Sequence, residues 1–258
     1  MALLLIVGLY VLCCAIIFFA QEKLLFYPTK LPKEYTFRFD NEFEEVNLKV
    51  DNNIALNALL FKAKIRKGVV LFLHGNGGAI HSWGEGANLY IENGYDVLYL
   101  DYRGYGKSDG KIISESQLID DAQIAYDYLK QNYDEDKIII SGTSIGTGIA
   151  TKIAANNNPR KLILTSPYYS LKSLVKEKIK VIPGFVIKYQ LKTSAFLKQT
   201  KCPVIIFHGD SDQVIPHHHS LKLKEDFPQI DLHLLKNYGH NNLTQSDAYV
   251  KKMSEILD

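Results

Sequence analysis

The chain has 258 residues, of which 47% are hydrophobic and 22% charged, as in a globular protein with a buried core. Its formal net charge of +2 is too small to favour a nucleic-acid partner, and we expect none. The 3 cysteines do not indicate a disulfide framework, because Cys13 and Cys14 lie in one apolar run and Cys202 stands alone.

That apolar run carries no charged residue from Ala2 to Ala20. As a helix it would extend about 28 Å, close to the roughly 30 Å of a bilayer core. No Lys or Arg precedes it, and Phe18 is too bulky for the small-residue position of a cleavage site after Ala20. The pattern predicts an uncleaved membrane anchor at residues 1–22, in preference to a cleaved signal peptide or a buried core helix.

The next segment, residues 23–44, contains two prolines and is predicted to be a linker. It also carries the basic residues that follow the anchor: Lys23, Lys30, Lys33 and Arg38. By the positive-inside rule they would keep the main domain in the cytoplasm. The charge bias is small, so the sequence leaves the side of the membrane open.

Residues 45–258 alternate between short apolar runs and helix-like segments. Strand patterns cover Glu45–Val50, Ala55–Lys62 and the runs "GVVLFL", "YDVLYL", "DKIII", "RKLIL", "CPVIIF" and "QIDLHLL". Helix patterns cover Ser114–Asn132, Ser144–Asn156, Pro216–Phe227 and Gln245–Leu257. Such alternation predicts a doubly wound α/β domain with a mostly parallel sheet. A longer segment, about 170–198, interrupts this alternation of strands and helices and is predicted to be a small helical cap insertion.

One of these strand–helix junctions reads Gly142-Thr143-Ser144-Ile145-Gly146, a G-x-S-x-G pattern. Glycines on both sides of the serine permit a tight turn that lifts the hydroxyl above the carboxyl end of the sheet. There the Ile145 N–H could bind an oxyanion. The alternative is an ordinary helix N-terminus that Ser144 caps.

Two nucleotide-binding motifs are alternative interpretations of the glycine-rich segments, and each lacks one glycine that the motif requires. A dinucleotide motif starting at Gly146 would need glycine where Thr151 stands. A phosphate-binding loop ending in Gly106-Lys107-Ser108 would need glycine where Asp101 stands, and no helix pattern follows it.

A reactive serine needs a base and a group that orients the base, and candidates for both follow later strands. Asp212, with Asp210 as second choice, follows the "CPVIIF" strand, although either could instead cap the helix near Pro216. His240 follows the last strand, where a surface histidine is the alternative. The order serine, acid, histidine is that of α/β-hydrolases.

A second oxyanion donor is expected in the glycine-rich loop after the "GVVLFL" strand, which reads His74-Gly75-Asn76-Gly77-Gly78. We assign the backbone N–H of Asn76 to this role, with Gly77 as the alternative. His74 is expected to hold the loop.

Taken together, these motifs resemble the α/β-hydrolase superfamily over about residues 45–258. The segments "LLFYPT", "HGNGG", "DYRGYGKSDG", "GTSIGTG", "SPYYSLKSL", "CPVIIFHGDSDQVIP" and "GHNNL" resemble the small, N-terminally anchored serine hydrolases, a branch that includes acyl-protein thioesterases. Thr143 departs from that branch, where arginine is common. The resemblance implies a Ser144–His240–Asp212 triad, with Asn76 and Ile145 forming the oxyanion hole and no cofactor.

The predicted function is cleavage of a carboxylic ester or thioester through an acyl-enzyme, on a small-molecule or acylated substrate. Lysines and apolar residues in the cap are best explained by a small helical cap with a solvated lysine face. The alternative is a cap that faces anionic lipid and admits an acyl chain, which together with the anchor motivates the hypothesis of a substrate near a membrane. A serine peptidase and a non-catalytic membrane-bound module are the alternatives. His217–His219 are not expected to bind a metal, because consecutive helical residues point about 100° apart.

Overall fold

The computed structural model describes residues 1–258 and contains an eight-stranded sheet flanked by helices. The strands are β1 Tyr27–Pro28, β2 Phe43–Asp51, β3 Ile54–Phe61, β4 Gly68–Leu73, β5 Gly77–Gly78, β6 Tyr95–Leu100, β7 Ile138–Thr143, β8 Lys161–Thr165, β9 Val204–Gly209 and β10 Asp231–Leu235. The helices are α1 Ala2–Leu25, α2 Ile80–Trp83, α3 Ala87–Glu92, α4 Glu115–Lys130, α5 Gly146–Asn156, α6 Leu171–Lys178, α7 Thr193–Leu197, α8 His218–Asp226 and α9 Asp247–Leu257.

The main sheet has the strand order β10-β9-β8-β7-β4-β6-β3-β2. Neighbouring strands from β10 to β6 are parallel, whereas β3 runs antiparallel to both β6 and β2. Parallel strands end at one edge of a sheet, so the loops that follow β4, β7, β9 and β10 meet there. The predicted α/β-hydrolase fold is confirmed.

Both faces of the central strands are buried, which explains their continuous apolar runs. In β4, Val69 and Leu71 face one hydrophobic cluster, whereas Val70 and Phe72 face the cluster on the opposite side. Side chains alternate across a strand, so every position must be apolar when helices cover both faces. Each such side chain stabilises the fold by about 1.5–3 kcal/mol.

The predicted strands of the main sheet are all present, with ends that differ by a few residues. The sequence patterns missed the small parallel sheet formed by β1 and β5, and the short helices α2 and α3. Strands of two residues and helices of one turn are too short to show a hydrophobic period.

The N-terminal helix α1 is long and apolar enough to cross a membrane, with a mean hydropathy of 3.0 in its most apolar window. It ends at Leu25, and the segment after it is packed rather than loose. Phe26 and Phe37 are buried in the two main clusters, and β1 pairs with β5 beside the glycine-rich loop. The predicted linker therefore lies against the hydrolase domain.

The insertion at about 170–198, hereafter the cap, is less helical than its sequence pattern indicates. Helices α6 and α7 lie at its ends, and residues 179–192, hereafter the cap loop, contain neither helix nor strand. Ile182, Val186 and Ile187 of this loop pack against Ile17 and Phe18 of α1. The cap loop owes its position to the N-terminal helix.

Candidate active site

Ser144 lies in a strained turn between β7 and α5. Its φ of +54° falls in the left-handed region, which non-glycine residues rarely adopt. A Cβ on Gly146 would lie 2.7 Å from the carbonyl oxygen of His74 and closer still to that of Leu73. Only glycine at that position lets the turn pass so close to β4, and the turn raises the Ser144 hydroxyl at the N-terminus of α5.

His240 and Asp212 meet Ser144 in a continuous hydrogen-bonded chain. His240 Nε2 lies 3.0 Å from Ser144 Oγ, and His240 Nδ1 lies 2.7 Å from Asp212 Oδ2. When Nδ1–H donates to the carboxylate, Nε2 keeps its lone pair and accepts the serine hydroxyl. The structure thus brings together three residues that lie in separate parts of the sequence.

The Asp212 carboxylate is buried but well supplied with partners. Its Oδ1 accepts hydrogen bonds from the N–H groups of Val214 and Ile215, at 2.9 and 2.8 Å. Burial by itself raises the pKa of Asp212, but its contacts with His208, His240 and Ile215 N–H outweigh burial and leave the pKa well below its usual value. Asp212 therefore stays ionised and can orient the histidine.

His208 is a buried neighbour of this carboxylate that sequence reasoning did not single out. Its Nε2 donates to the Ile215 carbonyl at 2.8 Å and lies 3.4 Å from Asp212 Oδ2, while its Nδ1 accepts from the Ser220 hydroxyl at 2.6 Å. These contacts fix the loop that carries Asp212. The only sequence signal was its position at the end of β9, directly before the aspartates.

Asp210, the second choice for the acid, takes no part in this chain. Its Oδ1 accepts hydrogen bonds from Ser211 Oγ at 2.9 Å and from the Asn237 N–H at 2.7 Å. It therefore joins the loop after β9 to the loop after β10. The preference for Asp212 over Asp210 agrees with this geometry.

Asn76 and Ile145 both line the cavity that contains Ser144, and the backbone N–H of neither donates to another group of the chain. A Cβ on Gly75 would lie only 3.7 Å from the Cβ of Ser144, so the glycine-rich loop passes beside the serine. Two free N–H groups next to a reactive hydroxyl are what an oxyanion needs, and the N-terminus of α5 adds a favourable dipole.

Two tyrosines that sequence reasoning did not assign to the site bond to the carbonyl groups of these two residues. Tyr105 donates its hydroxyl to the Asn76 carbonyl at 2.7 Å, and Tyr168 donates to the Ile145 carbonyl at 2.8 Å. A carbonyl shares its peptide plane with the N–H of the following residue, so these bonds hold the chain directly after each proposed donor. Tyr105 and Tyr168 lie in the segments "DYRGYGKSDG" and "SPYYSLKSL", but sequence reasoning gave neither residue a role at the site.

His74 is completely buried, and its contacts support the glycine-rich loop. Its Nδ1 donates to the Gly75 carbonyl at 2.7 Å, and its ring stacks on Trp83 and packs at a tilt against Tyr102. Its Nε2 lies 3.5 Å from Asp101 Oδ1 and makes no hydrogen bond. The ring packs beneath the glycine-rich loop and does not line the cavity at Ser144.

That cavity has a volume of about 400 Å3, within the range of small-molecule sites. It is lined by 17 residues, of which 13 are hydrophobic, and Lys178 is its only charged residue. Thr143, the departure from the resembled branch, lines a different cavity together with Trp83 and Tyr249. The chemistry at Ser144 therefore faces an apolar chamber.

A second cluster of titratable side chains lies away from Ser144. His218 Nε2 and His219 Nε2 lie 3.1 and 3.3 Å from the same Glu177 oxygen, so two consecutive histidines do converge, contrary to the sequence argument. However, His219 Nδ1 accepts the Tyr169 N–H, which leaves its proton on Nε2. Burial and His218 lower the pKa of His219 to about 4. The cluster is best described as a contact between α6 and α8.

Comparison with known proteins agrees with the fold. The sequence profile described as "Serine aminopeptidase, S33", of the hydrolase type, matches residues 64–194, just over half of the chain. The chain belongs to this α/β-hydrolase family. It is therefore an enzyme of the hydrolase class, and the predicted resemblance is confirmed.

Individual relatives extend this likeness. A putative α/β hydrolase, L404, of Acanthamoeba polyphaga mimivirus is 29% identical over 92% of both chains. The lysophosphatidylserine lipase ABHD12 of Xenopus tropicalis is 32% identical over 60% of this chain and 45% of its own length. An esterase of Pyrococcus furiosus has a similar structure, with a TM-score of 0.71, 20% identity, and coverage of 90% of this chain and 97% of its own.

Proposed function

We propose that this hydrolase cleaves carboxylic esters or thioesters of acyl groups at a membrane surface, with Ser144 as nucleophile, His240 as base and Asp212 as its orienting partner. The observation that carries the proposal is the hydrogen-bonded chain Ser144–His240–Asp212, whose serine lines an apolar cavity.

The geometry accounts for both halves of an acyl transfer. Ser144 Oγ attacks the carbonyl carbon while its proton passes to His240 Nε2, and the carbonyl electron pair moves onto the oxygen. The Asn76 and Ile145 N–H groups stabilise that oxyanion. When the intermediate collapses, the bond to the leaving oxygen or sulfur breaks and His240 returns the proton to the leaving group. Water then repeats the attack and releases the acid and free Ser144.

The cavity favours an acyl substrate over an aminoacyl one. An aminopeptidase must bind a free α-amine, for which a carboxylate is the usual partner. No Asp or Glu lines the cavity at Ser144, and its one charged residue, Lys178, would repel an amine. The relative from Xenopus tropicalis, named a lysophosphatidylserine lipase, acts on a substrate with an acyl ester, which supports the same conclusion.

Membrane anchoring through α1 is the second part of the proposal. The helix has no charged residue from Ala2 to Ala20, and its most apolar window has none of its residues buried in the rest of the protein. A single crossing would hold the catalytic domain next to lipid, where acylated substrates concentrate.

A fluorophosphonate probe tests the nucleophile, since it phosphonylates only an activated serine. We expect the full-length chain in detergent micelles to be labelled and Ser144→Ala to remain unlabelled. Ser166→Ala, which removes another buried serine hydroxyl, is a matched control and should label like the wild type. A wild-type chain that is folded but neither labelled nor active on any acyl ester would refute the proposal.

A further inference from the structure

The N-terminal helix forms a wall of the cavity at Ser144. Ile17, Gln21, Leu24 and Leu25 of α1 line the same chamber as the reactive serine. The opposite wall comes from the cap, through residues of α6 and the cap loop, and from the loop after Asp212. If α1 were only a membrane tether, this segment would not contact the catalytic domain. Instead, it is part of the chamber at Ser144.

Polar side chains of α1 attach this helix to the backbone of the cap loop. Tyr10 donates its hydroxyl to the Val181 carbonyl at 2.7 Å. The Gln21 amide donates to the Val186 carbonyl at 2.7 Å and accepts the Lys188 N–H at 2.8 Å. Irregular backbone is costly at membrane depth unless its polar groups are paired, and here α1 supplies the partners.

Gln21 is a buried polar residue in an otherwise apolar helix, with 5% of its surface exposed. Both ends of its amide are satisfied by the cap loop, so its burial costs little. The next residue, Glu22, pairs with Lys188 at 2.8 Å and accepts the Tyr189 hydroxyl at 3.0 Å. These contacts set the rotation of α1 and point Ile17 at the chamber.

The mouth of the chamber is apolar on the outside as well. Leu24, Ile179 and Val214 line the chamber and still expose 46–53% of their surfaces. Further along the cap loop, Val181 and Phe185 are 72% and 84% exposed beside the same face of α1. A contiguous exposed apolar rim next to a membrane-spanning helix is suited to contact with lipid.

We propose that α1 and the cap loop together form an acyl-chain-binding site that opens into the bilayer, with Ile17 as a residue that determines which chain lengths fit. The occupant is the acyl chain of the scissile ester, whose carbonyl end lies at Ser144. The chain enters from the membrane past the rim and lies along α1. This inference rests on the proposed function, because it assigns the substrate of that same site.

The walls also argue against other occupants. The chamber is continuous with the serine and with both free N–H groups, so whatever fills it must present a reactive carbonyl there. A peptide would leave its own N–H and C=O groups unpaired against walls that offer few polar atoms. A hydrocarbon chain carries no such groups.

Substitution of Ile17 tests the assignment, with Ile16 as a matched control. Ile16 is the same residue type on the same helix, but it is 56% exposed and does not line the chamber. The readout is the ratio of kcat/KM for p-nitrophenyl dodecanoate to that for the butanoate, using the full-length chain in nanodiscs. We expect Ile17→Trp to lower this ratio by about tenfold or more, because the indole fills the space of several methylenes.

The same assay gives Ile17→Ala the opposite expectation, since a smaller side chain lengthens the chamber and shifts the preference toward hexadecanoate. Ile16→Trp should keep the wild-type ratio. Equal ratios for wild type, Ile17→Trp and Ile17→Ala, with fluorophosphonate labelling intact, would overturn this inference and leave the proposed function standing. Absence of labelling and hydrolysis in the wild type would overturn both.

Discussion

The carboxyl edge of the sheet and the wall formed by α1 and the cap are assembled in different ways. At the sheet edge, the loops that carry Asp212 and His240 follow β9 and β10. The pairing of the parallel strands brings these two side chains and Ser144 into one hydrogen-bonded chain. The α1 and cap wall has no strand between residues 179 and 192, and is held by a few side-chain contacts and apolar packing. The proposed catalytic groups are thus placed by rigid elements, whereas the proposed substrate-binding wall is formed by a helix and an irregular loop.

The largest effect should come from the carboxylate at the sheet edge. Asp212→Asn keeps the shape of the side chain, but its amide can donate a hydrogen bond to His240 Nδ1. The proton of His240 is then held on Nε2, which can no longer accept the proton of Ser144. We therefore expect kcat on an acyl ester to fall on the order of 10⁴-fold. Asp210→Asn is the control in the same loop and should stay within a few-fold of wild type. A similar loss in both variants would mean that the loop as a whole matters, and not the Asp212 contact.

The tight turn before α5 should be the next most sensitive point. Gly146→Ala places a Cβ against the Leu73 and His74 carbonyls, which belong to backbone and cannot move aside. We expect a loss of on the order of 3 kcal/mol in the free energy of unfolding, with a lower melting temperature in detergent micelles. Gly77→Ala is the stability control, because nothing lies within 4 Å of its added Cβ. Equal melting temperatures for the two variants would contradict the close approach.

Acid should weaken the sheet edge through the same aspartate. The pKa of Asp212 is lower in the folded protein than its ordinary value of about 3.9, so the unfolded chain binds the proton more readily. Its contribution, about 1–3 kcal/mol for a buried charged hydrogen-bond network, is present above pH 4 and is lost as the pH falls below that value. The difference in unfolding free energy between wild type and Asp212→Asn should therefore shrink from pH 6 to pH 3. A difference that is constant with pH would show that the carboxylate is not stabilised by folding.

The contact between the cap and α8 should matter least. Glu177 is partly exposed where it meets His218 and His219, so Glu177→Gln should lower the unfolding free energy by no more than about 1 kcal/mol. Lys176→Gln, at the neighbouring exposed position, removes a charge with no ion pair and serves as control. A loss of several kcal/mol would show that the cap is as firmly fixed as the sheet edge.

Much of the domain could be predicted from the sequence because its signals are local. Buried parallel strands appear as short apolar runs, and the G-x-S-x-G turn is marked by glycines within five residues. Asp212 and His240 were found because α/β topology requires functional groups at strand ends. This rule does not separate Asp212 from Asp210, because both follow β9; in the structure Asp212 contacts His240, whereas Asp210 contacts Asn237.

Other features depend on which distant segments meet, and no local pattern encodes that. His208 looked like an ordinary strand-end residue until the fold placed its ring beside Asp212, and the hydroxyl of Tyr105 became relevant only through Asn76, 29 residues away.

For this protein, the sequence alone determined the strand pattern, the reactive turn and an apolar N-terminal helix, since period and composition decide each of these within one segment. Only the tertiary structure decided that the helix forms a wall of the chamber. The contacts that make it so join Gln21 to the cap loop across 165 residues or more. Hydrophobicity marks α1 equally well as a tether or a wall, and only packing against the cap distinguishes the two.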